Sequence, residues 1–161
     1  MSKPVIHPIF NLTALKGQPL ATPVKLDDLI DAYEWVSAAG SFENFAYVNK
    51  VTGEIFIQSD EADEEPPNDY EDASVYVAVP HKNDLGLGKS LVMQYVDEML
   101  PERSEDVWEF FRRRGAYSRF KDLLERNGIL NAWYQYETRA IEQALRKWSL
   151  ENGLQLACDN D

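Results

Sequence analysis

The chain has 161 residues and is 44% apolar and 12% aromatic, which excludes a fully disordered or collagen-like chain. Its net charge of −12 argues against non-specific binding of the whole molecule to DNA or to anionic membranes. Cys158 is the only cysteine, so an internal disulfide is excluded, as is usual in a reducing cytoplasm. No apolar run approaches the roughly 20 residues of a membrane span, and the first residues lack the apolar stretch of a secretory signal. We therefore expect an acidic, soluble, cytoplasmic protein.

The first part of the chain predicts an extended arm followed by a helix. Residues 1–24 carry four of the eight prolines, and we interpret them as an arm that packs in part. Asp27 and Asp28 then lie in the first turn of a helical pattern, where the helix dipole favours anions. Gly40 predicts the end of this helix. The apolar residues that recur at helical spacing are Leu26, Leu29, Ile30, Tyr33 and Val36.

Three short segments rich in aromatic and β-branched residues predict a small antiparallel sheet. They are residues 45–50, 54–58 and 75–79, and Gly53 supplies the left-handed conformation that a short hairpin loop with a bulge requires. Residues 60–72 contain eight acids, no base and two adjacent prolines, which indicates a solvated, poorly ordered loop. We predict a three-stranded meander in which this loop lengthens the second connection.

From Gly88 onward the apolar period is helical, and it predicts a bundle of about four helices. The longest helix is expected over about 130–151, and we expect Phe120, Tyr134 and Trp148 to be buried together. The fold class is therefore α+β: a helix, a three-stranded antiparallel meander and a carboxy-terminal bundle. The predicted organisation is an arm over residues 1–24, one domain over residues 25–153 and a flexible tail over residues 154–161.

Several motifs resemble an uncharacterised family of bacterial proteins of unknown function. The front half carries L-D-D-L-I-D-A-Y-E-W and then A-Y-V-N-K-V-T-G-E-I. The more specific part is G-A-Y-S-R-F-K-D-L-L-E-R-N-G at residues 115–128, followed by W-Y at 133–134 and W-S-L-E-N-G at 148–153. The resemblance covers roughly residues 25–153. It implies a shared architecture and a bacterial cytoplasmic origin, and it brings no catalytic residue with it.

Motifs for catalysis, metals and nucleotides are incomplete. N-D-L-G-L-G-K-S at residues 83–90 has Asn83 where a phosphate-binding loop needs its first glycine. The acidic run lacks the glycine of a calcium loop, and two histidines and one cysteine without paired spacing exclude an ordinary zinc site. His81 beside Asp84 is the only arguable start of a catalytic triad, and we interpret it as a turn histidine. We expect no catalytic residue, metal or cofactor.

The most informative functional feature is a basic segment within this acidic chain. Five bases and no acid lie between residues 112 and 121, and Gly115 predicts a break between two helices. Free amides at a helix start, together with bases, favour a phosphate or carboxylate ligand. The alternative is local pairing, for example of Glu109 with Arg113. The predicted anion- or partner-binding residues are Arg114, Gly115, Ala116, Arg119 and Lys121.

These features predict a non-enzymatic bacterial binding or regulatory module that acts through protein–protein contacts. The alternative is a nucleic-acid or nucleotide-phosphate binder that uses residues 112–121. An enzyme of unrecognised type is the least favoured class. An exposed apolar or polarised face would favour the binding module, and a deep pocket with perturbed carboxylates would favour the enzyme.

Overall fold

The computed structural model describes residues 22–38, 44–59 and 65–158. These residues form an α+β arrangement with a helical carboxy-terminal part, as the sequence predicts. The elements in chain order are α1 (Leu26–Ala38), β1 (Phe45–Asn49), β2 (Ile55–Gln58), β3 (Tyr76–Ala78), α2 (Lys89–Met99), a 3-10 turn (Pro101–Arg103), α3 (Ser104–Phe110), α4 (Ala116–Arg126) and α5 (Leu130–Glu151). None of the helices within these residues is long and apolar enough to cross a membrane.

The three strands form an antiparallel sheet in the order β2-β1-β3. A meander would place β2 in the centre, so the strand order differs from the predicted one. The physical reason lies in burial: Ala46 and Val48 of β1 are buried, whereas Ile57 of β2 is exposed. The strand with the most buried face takes the central position, and the connection between β2 and β3 returns to the opposite edge of β1.

The described part of the chain packs around two apolar clusters that share α5. In the first cluster, α1 packs on one face of the sheet together with Leu145 and Trp148 of α5. The second cluster joins α2, α3 and α4 to Trp133, near the start of α5. The 22-residue length of α5 allows it to serve both clusters.

The expected cluster of Phe120, Tyr134 and Trp148 is wrong. Phe120 is fully buried, but its ring packs edge-to-face on Trp133 with a centroid distance of 5.0 Å. Trp148 belongs to the other apolar cluster, and the Tyr134 side chain is 41% exposed. One helical step turns a side chain by about 100°, so Trp133 faces the core and its neighbour Tyr134 does not.

The segment that follows α5 also differs from the prediction of a flexible tail. Val24 and Leu156 form a parallel bridge, in which the Val24 N–H donates to Gln155 O at 2.8 Å and the Ala157 N–H donates to Val24 O at 2.7 Å. Val24 and Leu154 are buried in the first apolar cluster. Residues 154–157 are therefore part of the folded structure, because these apolar side chains have a core to enter.

The acidic connection between β2 and β3 is packed where it is described. Residues 60–64 and Gly40 lie outside the described residues. Residues 68–71 form turns, and the Tyr70 ring contacts the Tyr47 ring of β1 at a centroid distance of 5.3 Å. The Lys50 ammonium donates to Ala73 O at 2.8 Å. The described part of the connection is thus fastened to the sheet rather than loose.

Candidate functional site

Within the described residues, strand β2 forms an open edge of the sheet, since β1 is its only hydrogen-bonded neighbour there. The Asn49 N–H donates to Glu54 O at 2.8 Å, and the register continues as Val48 opposite Ile55, Tyr47 opposite Phe56 and Ala46 opposite Ile57. Hydrogen-bonded and non-hydrogen-bonded pairs alternate along an antiparallel ladder. The main-chain N–H and C=O groups of Ile55 and Ile57 therefore point away from β1. A strand edge of this kind is a template for pairing with a further extended chain.

A groove of about 460 Å³ runs along this open edge. One wall is α1 and the other is β2, and the residues that enter before α1 close one end. Ile55 is half-buried and the Ile57 side chain is 43% exposed, so apolar surface is available along the strand. The residues that line the groove are Thr22, Pro23, Lys25, Asp28, Asp31, Ala32, Thr52, Gly53, Glu54, Ile55 and Ile57.

The rim of the groove is acidic. Asp28 and Asp31 lie three residues apart on α1, so they share one face of that helix. Glu54 immediately precedes β2, and Lys25 is the single base among the residues that line the groove. All four of these side chains belong to exposed residues. The groove therefore combines apolar strand surface with three carboxylates and one ammonium.

The sheet face opposite α1 is aromatic. Phe45, Tyr47, Phe56 and Tyr76 share this face by strand alternation and register. The Phe45 side chain is 42% exposed, and the other three are half-buried. Tyr70 covers part of Tyr47 and lies next to Glu71, with its hydroxyl donating to Glu71 Oε1 at 3.2 Å. Burial, followed by the charge of Glu71, raises the pKa of the Tyr47 hydroxyl.

The structure places the predicted basic site at the junction of α3 and α4. Gly115 has φ +78° and ends the loop, and Ala116 begins α4 as expected. The Arg119 Nη1 donates to the Arg114 carbonyl oxygen at 3.0 Å, which joins these two residues across the junction. Lys121 is not with them: its ammonium lies 5.6 Å from the centroid of the Tyr134 ring on α5. Residues two apart on a helix are turned by about 200°, so Arg119 and Lys121 face different sides.

Arg119 lines a shallow cavity of about 530 Å³ together with other residues of both signs. Arg103 pairs with Asp106 at 2.7 Å, and Arg112 pairs with Glu109 at 3.0 Å, so Glu109 engages Arg112 rather than the expected Arg113. Both pairs are largely exposed to solvent. The cavity therefore contains carboxylates that compete with an anionic ligand for the arginines. Anion binding by this junction stays a prediction.

The remaining sequence motifs have local structural roles. The His81 Nδ1 accepts a hydrogen bond from the Asn83 N–H at 3.1 Å, and the His81 N–H donates to Asp84 Oδ2 at 3.1 Å, within a turn. Gly88 precedes α2, and a side chain there would collide with the Asn83 amide. Within the described ranges, no group of three histidine, cysteine, aspartate or glutamate residues has the geometry of a metal site. These residues thus hold the loop before α2.

Comparison with protein-family models, curated proteins and solved structures finds no match. The resemblance carried by the sequence motifs stays a prediction.

Sequence reasoning missed the groove beside β2. Its residues come from three separate parts of the chain: the entry to α1, α1 itself and the β1–β2 hairpin. The alternation in residues 54–58 predicts a strand, but it does not show whether that strand lies at the edge or in the centre of the sheet. An isoleucine exposed at an edge strand and an isoleucine buried in a central strand have the same pattern in sequence. Only the strand order distinguishes the two.

Proposed function

We propose that this protein is a binding module that recognises a basic, extended segment of a partner protein at the open edge of β2. The bound segment adds a fourth strand to the sheet and forms main-chain hydrogen bonds with Ile55 and Ile57. The observation that carries the proposal is the coincidence of an open strand edge, exposed isoleucine surface and an acidic groove in one place.

The chemistry of the groove specifies the partner segment. Addition of a strand supplies affinity through main-chain hydrogen bonds, and the alternating side chains supply specificity. Side chains on the α1 side of the added strand meet Ile55 and Ile57 and then the carboxylates of Asp28 and Asp31. In a segment that alternates apolar residues with lysine or arginine, every second side chain lies on the same face of the strand. The basic side chains then lie on the α1 side, with their stems along Ile55 and Ile57 and their charges at the carboxylates. The apolar side chains lie on the opposite face, beside Phe56. The net charge of −12 further favours a cationic partner.

The other parts of the functional assignment rest on the sequence. The resemblance to a bacterial family and the single cysteine support a bacterial cytoplasmic location. We infer a role in protein–protein contacts rather than catalysis, because the groove offers an extended surface with apolar and charged groups. Nucleic-acid binding at residues 112–121 remains the alternative, and Arg113 and Arg119 beside the cavity at this junction are the residues that favour it.

The proposal is tested by calorimetric titration with an eight-residue peptide that alternates lysine with valine. We expect saturable binding that weakens with added salt, because exposed charges across the rim are screened. The variant Ile57→Pro removes an outward-pointing N–H but leaves the ladder to β1, a position where an edge strand tolerates proline. Binding should fall at least tenfold in Ile57→Pro. In the double variant Asp28→Asn, Asp31→Asn the salt dependence should shrink.

Two controls separate the proposed geometry from unspecific attraction. Ile57→Val keeps the N–H and most of the apolar surface, and it should bind like the original chain. A peptide of the same composition with glutamate in place of lysine should not bind. Retention of full affinity by Ile57→Pro, with circular dichroism unchanged, would show that strand addition at β2 is not the mode of binding.

A further inference from the structure

A small cavity, open to solvent and lined by both polar and apolar residues, lies between the two apolar clusters, apart from the groove. We refer to it as the polar cavity. Its volume is about 170 Å³, which is room for about five water molecules at roughly 30 Å³ each. Helices α1, α4 and α5 and the loop before α2 all contribute to it. The polar residues that line it are Tyr33, Glu34, Ser37, Lys82, Tyr117 and Glu137. Such a concentration of polar groups next to packed cores is costly unless their hydrogen bonding is satisfied.

The cavity holds groups of opposite charge. Glu137 on α5 and Lys82 on the loop are half-buried and carry a carboxylate and an ammonium, and the exposed Glu34 on α1 adds a second carboxylate. Burial raises the pKa of the Glu137 carboxyl, and the nearby ammonium groups of Lys121 and Lys82 oppose this shift. Burial also raises the pKa of Tyr33 and of Tyr117, so both are neutral phenols with a hydroxyl to donate. The cavity thus offers anionic, cationic and neutral partners to a ligand.

Two contacts hold Lys82 in the lining of the cavity. Its main-chain N–H donates to the Ser37 hydroxyl at 3.0 Å, which ties the loop to α1. Its ammonium lies 4.7 Å from the centroid of the Tyr117 ring on α4. The ammonium is therefore positioned by neighbouring elements before any ligand arrives. Positioning of this kind lowers the cost of ordering a long side chain on binding.

We propose that this cavity binds a small molecule that carries both an ammonium and a carboxylate group, of the size and class of a small α-amino acid. The ligand ammonium faces the carboxylates of Glu137 and Glu34, and the ligand carboxylate faces the ammonium of Lys82. Each charge of the ligand then meets an opposite charge of the cavity. A ligand with only one of the two charges forms only one of these pairs and also meets a cavity group of its own sign, which weakens its binding. The volume limits the ligand to a short side chain.

The proposal is tested by titration of the full chain with glycine, L-alanine and L-serine, followed by calorimetry and by amide chemical shifts. Ethylamine and propionate serve as probes that carry one charge each. We expect saturable binding of at least one amino acid, with shifts at Lys82, Tyr117 and Glu137, and at least tenfold weaker binding of both single-charge probes. Glu137→Gln and Lys82→Met should each weaken binding of the amino acid at least tenfold.

Matched controls use exposed residues of the same types elsewhere. Glu125→Gln on α4 and Lys147→Met on α5 should bind like the original chain. Three results would overturn the proposal: no saturable binding of any of the three amino acids, equal binding of ethylamine or propionate, or full affinity in both cavity variants. None of these results bears on peptide binding at β2, so the two proposals fail separately.

Discussion

At the scale of single residues, aromatic side chains of the consecutive helices α4 and α5 differ sharply in their contribution to stability. Phe120 is fully buried against Trp133, whereas the Tyr134 side chain is 41% exposed. We expect Phe120→Ala to lower the free energy of unfolding by about 3–5 kcal/mol, because a large cavity remains in a packed core. Tyr134→Ala should cost less than about 1 kcal/mol. Urea denaturation of both variants measures this difference, and equal losses would contradict the assignment of Phe120 to the core.

The burial of Glu137 in the polar cavity can be tested by measuring how its effect on stability changes with pH. Burial raises the pKa of this carboxyl above its ordinary value of 4.5, so the folded state favours the protonated form. Stability is therefore lost as the pH rises through the folded-state pKa. Glu137→Gln keeps the group neutral and should melt at a higher temperature than the original chain at pH 7. The difference should vanish below pH 4.5, where Glu137 is protonated in both states.

The matched control for this test is Glu125→Gln on the exposed side of α4. Its melting temperature should differ little from that of the original chain across the same pH range. A lower melting temperature of Glu137→Gln at pH 7 would mean that the attraction of Lys121 and Lys82 outweighs burial. A charged side chain that lowers the stability of the folded protein is typical of a functional site.

At the scale of elements, the hairpin loop between β1 and β2 is fixed by Gly53. Its φ is +72°, and an added Cβ would stand 2.7 Å from the Thr22 carbonyl oxygen. Gly128 has a φ of +70°, but no heavy atom lies within 4 Å of its added Cβ. Gly128→Ala should therefore cost only the strain of the left-handed conformation, about 1–2 kcal/mol. Gly53→Ala should cost more in the same denaturation experiment, and equal costs would show that the contact with Thr22 relaxes freely.

The helices could be predicted from the sequence, whereas the order of the strands in the sheet could not. The end of α4 before Gly128 and the bounds of α5 follow from apolar spacing and from Asn-Gly stops, which act within a few residues. The choice of β1 as the central strand depends on which edge of β1 the chain reaches after residues 59–75. A connection of that length reaches either edge, so local patterns do not decide between them. The groove lies beside β2 because β2 is an edge strand. Since the strand order could not be predicted from the sequence, the groove could not be predicted either.

At the scale of the whole molecule, the two ends of the described chain close the first apolar cluster. Leu154 is buried there, and Leu156 pairs with Val24. A single bridge leaves no periodic signal in sequence, which is why the pairing was not predictable. Leu154→Ala should cost about 2–5 kcal/mol of unfolding free energy, whereas Leu150→Ala, at a side chain that is 81% exposed, should cost less than about 0.5 kcal/mol. A negligible loss of unfolding free energy in Leu154→Ala would show that residues 154–157 do not pack against the first apolar cluster.

The central claim is that a basic extended segment adds to the open edge of β2. Amide hydrogen exchange, measured residue by residue with and without the lysine–valine peptide, tests it most directly. The N–H groups of Ile55 and Ile57 point away from β1, so they should exchange fast in the free protein and become strongly protected in the complex, while Phe56 changes little. Protection confined to Arg113–Arg119, or unchanged exchange at Ile55 and Ile57 in a peptide-saturated sample, would contradict the claim.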